Sequence, residues 1–174
     1  RNAGTHLWKV NAAWPSMMWQ VFDWYLQTNA GYYSMRSACK PLHVQHSVDD
    51  SGVQIVSTMN SEHHGMRVSL QLVSIDGKVE AAEDWVVNSL ADSTTPVGTL
   101  PKLVNDGRLY FVGLTLFKKD GLEVDRSVTW MQKDCKWHDL LQIKPTTLSL
   151  YLKGKSIKAE ETTYQLLVSN KTSI

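Results

Sequence analysis

Residues 66–87 read MRVSLQLVSIDGKVEAAEDWVV, and this stretch decides the fold. Met66, Val68, Leu70 and Leu72 fall on alternate positions. That period places successive side chains on opposite faces of a strand. Asp76-Gly77 follows, the strongest short hairpin signal, and residues 78–87 return as a second strand. A type I′ turn is expected at Asp76-Gly77, with positive φ at both central residues.

Outward from this hairpin the same grammar repeats. Residues 108–117 (RLYFVGLTLF) predict a buried strand, Asp120-Gly121 a second tight turn, and residues 122–131 the returning strand. Upstream, Leu42, Val44 and His46 alternate against His43, Gln45 and Ser47, and Val53, Ile55 and Ser57 share one face of residues 52–58. Residues 89–101 are polar and contain Pro96, so they are taken as a connection. Five or six strands at this spacing, with no amphipathic helix among them, predict an antiparallel sandwich.

Beyond it, residues 132–137 (QKDCKW) form a polar linker. Residues 146–152 and 162–169 alternate again around a charged segment, and two strands alone make only a marginal sheet. The sequence reads as cut at both ends.

The first 40 residues differ in composition. Trp8, Trp14, Trp19 and Trp24 fall here, four of the seven tryptophans of the chain, and Asp23 is the sole acid of residues 2–40. Residues 5–10 predict a short strand, ended by the extended geometry that Pro15 imposes on Trp14. Residues 17–26 (MMWQVFDWYL) fit a buried strand or a tight aromatic loop. A short helix beginning at Asn29 or Gly31 should stop at Lys40-Pro41. A large exposed aromatic patch is rare on a soluble monomer. The four tryptophans are therefore expected to be covered by the sandwich, by another polypeptide or by self-association.

The whole chain has 174 residues, 18 Lys plus Arg against 17 Asp plus Glu, and a net charge of +1. So balanced a charge excludes nucleic acid or an anionic membrane as a charge-driven partner. No apolar run approaches the ~20 residues of a membrane helix, and no signal peptide opens the sequence. Cys39 and Cys135 are too few for a disulfide scaffold. Cys39 is expected to be a small buried residue.

His43 and His46 point to opposite faces, His63-His64 is placed in a turn, and neither a Cys-x-x-Cys pair nor a His-Glu-x-x-His run occurs. No metal and no cofactor is expected. Asp49-Asp50, Glu83-Asp84 and Glu160-Glu161 read as solvated surface without an apolar pocket to raise one pKa. The aromatic cluster is core by one reading. By another it is a carbohydrate surface, because Trp and Tyr stack on pyranose faces and Asn11 beside them offers a donor and an acceptor to a hydroxyl.

Residues 8–16 (WKVNAAWPS), Trp19 to Asp23, Tyr25-Leu26, Gly31-Tyr32-Tyr33 and residues 38–45 (ACKPLHVQ) resemble the last barrel strand, loop and helix of glycoside hydrolase family 2. The branch resembled is that of the exo-β-D-glucosaminidases and plant-type endo-β-mannosidases. Ala12, where β-mannosidases carry an acid, favours the glucosaminidase side. Residues 108–117, Asp120-Gly121 and residues 127–131 resemble the closing strands of the immunoglobulin-like domain that follows the barrel, and residues 146–170 the opening of the next one.

The resemblance implies a mainly β chain: the end of a (β/α)8 barrel over 1–40, an immunoglobulin-like sandwich over 41–133, and a linker with the first strands of a second sandwich over 134–174. It implies a hydrolase that cuts β-glycosidic bonds with retention. In such enzymes two carboxylates lie about 5 Å apart. Both come from earlier barrel strands, so the catalytic pair would precede Arg1 and the isolated chain would be inactive. Trp8, Asn11 and Trp14 are the implied substrate-binding residues, at the barrel mouth where such enzymes bind substrate. The implied partners are an oligosaccharide and the remainder of the polypeptide, in a protein that is secreted, periplasmic or vacuolar. The readings left beside this one are a non-catalytic carbohydrate-binding module and a structural spacer.

Overall fold

A computed structural model describes residues 6–16, 20–102, 106–132, 134, 137–143, 145–158 and 161–170. The chain is mainly antiparallel β-structure. One helix, α1 (Ala30–Ala38), precedes seven strands: β1 (Leu42–His46), β2 (Gly52–Ser57), β3 (His63–Ser74), β4 (Val79–Ser89), β5 (Ser93–Thr99), β6 (Tyr110–Phe117) and β7 (Glu123–Met131). A 3₁₀ helix (Trp137–Gln142) leads to β8 (Leu148–Lys158) and β9 (Glu161–Asn170). The sheets have the orders β1-β2-β5, β4-β3-β6-β7 and β8-β9. Among the described residues no helix is long and apolar enough to cross a membrane.

Residues 1–69, 84–100 and 114–127 form one compact unit, and residues 70–83, 101–113 and 128–174 a second. The long strands β3, β4, β6 and β7 contribute residues to both.

In the first unit the period-two pattern becomes a core. Leu42, Val44, Val53, Ile55, Met66, Val68, Leu114 and Leu116 are buried, and their neighbours along the strands are half-covered or exposed, except His43, which is buried between Leu42 and Val44. The strand that sequence reading took for a loop is β5. It lies at a sheet edge, and its pairing with β2 jumps from Val53↔Gly98 to Gln54↔Pro96. Pro96 lacks an N–H, which an edge strand beside a bulge tolerates. His63 and His64 open β3 rather than lying in a turn.

Both Asp-Gly pairs join strands, but by a different turn from the type I′ expected. Gly77 N–H donates to Ser74 O, and Ser74 N–H to Lys78 O. Gly121 N–H donates likewise to Lys118 O, and Lys118 N–H to Leu122 O. Only the glycines have positive φ, 79° and 87°. This is the three-residue loop in which a type I turn ends on a left-handed residue, so one residue, not two, needs glycine's freedom.

The second unit buries Leu70, Leu72, Leu109, Tyr110 and Val112. Tyr110 Oη donates to Asp106 Oδ2 at 2.7 Å. Burial, reinforced by that hydrogen bond, pushes the Tyr110 hydroxyl up to about 12. The same unit holds the β8–β9 ribbon, strands that sequence reading placed but made shorter. Pairs such as Leu150↔Val168 and Leu152↔Leu166, with a bulge after Leu152, put Leu148, Leu150, Leu152, Ile157, Tyr164, Leu166 and Val168 on one face. All seven are exposed.

Candidate functional site

The aromatic segment is built on an irregular scaffold in the first unit. Residues 6–10 form no strand, contrary to the sequence reading. The physical reason is the want of a ladder. Among the described residues, pairing here is confined to an isolated parallel bridge, Asn11↔Phe22, with Phe22 N–H donating to Val10 O at 3.0 Å and Ala12 N–H to Phe22 O at 3.3 Å. Residues 20–29 make the tight aromatic loop, one of the two forms left open. Phe22 pairs with Thr28, Leu26 has φ 60°, and Asp23 Oδ1 accepts from Gln27 N–H at 2.8 Å. Residues 17–19, and with them Trp19, lie outside the described residues.

The loop delivers the chain into α1. Asn29 is its N-cap: its side chain accepts from Tyr32 N–H, while its amide donates to Gln20 O. That arrangement satisfies one of the free donors of a helix start. Phe22, Tyr32 and Tyr33 then meet edge to face at 5.3 and 5.2 Å. Ala12, Gln20 and Val21 of the same scaffold are buried.

The three residues named as substrate-binding share one short exposed segment. Trp8 is 78% and Trp14 61% exposed, and Asn11 is exposed beside the buried Ala12. Lys9 Nζ lies 5.9 Å from the Trp14 ring centroid, at the outer limit of a cation–π contact. Among the described residues Asn11 Nδ2 makes one long contact, 3.5 Å, to Ala12 O. The expected cover of the tryptophans by the sandwich is corrected: Trp8, Trp14 and Trp24 are all exposed on this chain. Cys39, expected to be buried, is an exposed free thiol at the C-cap of α1. Cys135 and the side chains of Glu160 and Glu161 lie outside the described residues.

Where the chain leaves α1 and enters β1 sits a polar cluster absent from the sequence reading. Asp125 of β7 is 1% exposed. Its Oδ1 accepts from Lys40 Nζ at 2.6 Å, and its Oδ2 from Val44 N–H at 2.9 Å. His43 Nδ1 is also 2.7 Å from Oδ2, yet this nitrogen makes no well-directed hydrogen bond, so the contact is close but off axis. Burial alone would raise the carboxyl pKa. The His43, Lys40 and Val44 contacts outweigh it and hold Asp125 well below the usual carboxylate range. The cluster fastens the chain leaving α1 to the facing sheet. Alternation in the sequence carries no signal for it: Val124, Val128 and Trp130 hold the apolar phase of β7, and Asp125 falls on the other phase, the one the structure turns inward. Among the described residues no three His, Cys, Asp or Glu side chains gather at metal-binding spacing.

No protein-family profile matches the chain. It is 29% identical over 133 residues to an exo-β-D-glucosaminidase of Amycolatopsis orientalis, covering 75% of this chain and 13% of that protein. It is 31% identical over 158 residues to an exo-β-D-glucosaminidase of Streptomyces avermitilis, covering 87% of this chain and 18% of that one. The crystal structure of the Amycolatopsis orientalis exo-chitosanase CsxA superposes with a TM-score of 0.79 at 22% identity, over 95% of this chain and 22% of that protein. The chain thus spans less than a quarter of the length of the relatives it matches.

Proposed function

Because this chain belongs with the C-terminal region of glycoside hydrolase family 2, we propose that it is the C-terminal portion of a retaining β-glycosidase that hydrolyses β-linked amino-sugar oligosaccharides. In this reading residues 1–40 close a (β/α)8 barrel, residues 41–133 are the sandwich that buttresses it, and residues 134–174 begin a second sandwich. Both catalytic carboxylates stand on polypeptide outside this chain.

The observation that carries the reading is the open segment of Trp8, Asn11 and Trp14. Two largely exposed indoles and an exposed amide, bonded to its own backbone among the described residues, lie within seven residues of one another. Trp8 acts as a stacking floor, Asn11 hydrogen-bonds a sugar hydroxyl and Trp14 walls the pocket. Asn11's bond strengthens as the ring moves toward an oxocarbenium-like transition state. The chain's own residues bind and orient; they do not supply the proton or the nucleophile.

Kinetics of the full-length enzyme on a glucosamine oligomer test this. Trp8→Ala and Asn11→Ala should each lower kcat/KM by about ten- to a hundredfold, the rate equivalent of a lost 1–3 kcal/mol contact. The melting temperature should stay near that of the wild type. Phe22→Ala, which removes the ring packed on Tyr32, should lower the melting temperature instead. Unchanged kinetics with a lowered melting temperature for Trp8→Ala and Asn11→Ala would defeat the assignment.

A further inference from the structure

We propose that Trp130 and Trp137, with the cleft beside them in the second unit, form a separate saccharide-binding site that takes a cationic β-linked glucosamine oligomer. The choice of sugar rests on the glycosidase reading above; the site itself rests on different residues.

The two indoles are 57% and 41% exposed, and their centroids lie 6.5 Å apart at an interplanar angle of 63°. Such an exposed, inclined pair offers a floor and a wall, where an isolated core aromatic would be covered. Trp130 is the penultimate residue of β7, on its outward side, and Trp137 opens the 3₁₀ helix. In a helix of three residues per turn, positions three apart eclipse. Asp139 and Gln142 therefore share one face, and both line a cleft of about 290 Å³. The opposite wall comes from Asp76, Lys78, Glu80 and Arg108. One amide ties the aromatic pair to the cleft. Gln132, two residues past Trp130 and 6% exposed, donates from Nε2 to Gly107 O at 3.1 Å and to Asp139 Oδ2 at 3.2 Å.

Charge selects the ligand. Arg108 is held by Asp106 at 2.8 Å and faces Glu80 at 3.7 Å, and Lys78 reaches Glu80 at 3.2 Å. The two cations of the cleft are thus already occupied by carboxylates. Asp139 is left with the Gln132 amide and the exposed His138 ring at 3.2 Å, and no lysine or arginine rests on Asp76 among the described residues. The carboxylate of Asp76, and that of Asp139 with only an amide and an imidazole against it, place negative charge beside a stacking surface, which suits a protonated 2-amino group on a stacked pyranose ring. A neutral or anionic sugar gains only the stacking.

The test is calorimetric titration of the 174-residue chain with glucosamine hexamer and, separately, with N-acetylglucosamine hexamer. Saturable binding of the glucosamine hexamer is expected, weakened about tenfold by Trp130→Ala or Trp137→Ala, as loss of an aromatic contact implies. Asp139→Asn should weaken the glucosamine hexamer and bring it level with the N-acetylated one. Both tryptophans are exposed, and unchanged melting curves check that each variant folds. The double variant Trp8→Ala/Trp14→Ala should retain binding. Binding lost in that double variant but kept in Trp130→Ala and Trp137→Ala would overturn this inference and leave the catalytic reading standing. Absence of hexamer binding by the wild-type chain, or equal affinity for both hexamers, would overturn it as well.

Discussion

Asp125 is a charged residue at an inward strand position, and its neighbours decide whether that costs or contributes stability. Removing one partner of a buried pair leaves the others uncompensated, at about 3–5 kcal/mol. Asp125→Ala should therefore destabilise the chain by that order in urea titrations. The pH dependence follows from the depressed pKa. A carboxylate lowered in the folded state contributes its stability above its unfolded value near 4 and loses it as pH falls through the folded value. The wild type should lose stability below about pH 4, and Asp125→Asn should lack that part of the acid slope. An identical acid slope in the variant would contradict the account. Gly98 gives a second residue-scale test. A Cβ there would meet Trp85 Cε2 at 2.6 Å, a rigid indole rather than a flexible tip. Gly98→Ala should cost about 1–3 kcal/mol as overpacking does. None of this is written in local sequence, since Lys40, His43 and Asp125 are joined only once two sheets face each other.

The strands themselves were legible because alternation is a local signal and burial enforces it. The run from Met66 to Leu72 has every second residue buried, as its pattern requires. Two failures at this scale have physical causes. Residues 93–99 were read as a connection because Pro96 removes a ladder donor, and an edge position with a bulge makes that harmless. The Asp-Gly turns were legible as turns but not as a type, since loop length depends on which residues pair first. The observed geometry sharpens the prediction. Gly77→Val and Gly121→Val should each cost about 1–2 kcal/mol through the left-handed backbone, whereas Asp76→Ala and Asp120→Ala should cost much less. Equal losses from Asp and Gly substitutions in thermal melts would restore the two-residue turn.

At the scale of the molecule, Trp8, Trp14 and Trp24 and the apolar face of β8–β9 are uncovered surfaces. Exposed apolar patches and unpaired strand edges recruit partners. The chain in isolation should therefore self-associate in light scattering, and Trp8→Ser/Trp14→Ser should shift it toward monomer. A strict monomer with all tryptophans quenchable by acrylamide would refute this. The purified chain should also show no turnover of a nitrophenyl β-glycoside; turnover abolished by one acidic substitution within it would place a catalytic pair here. By itself the sequence determined the β-architecture, a short helix starting at Asn29 or Gly31, and the aromatic character of the Trp8–Trp14 segment, because alternation, capping and aromatic content act within a few residues; the structure chose Asn29. Tertiary structure alone decided which side chains are buried and what they touch. The Asp125 cluster, the edge strand with Pro96 and the pairing of Trp130 with Trp137 join residues that meet only when separate elements pack. Their energies come from desolvation and contact, which no local stretch of sequence contains.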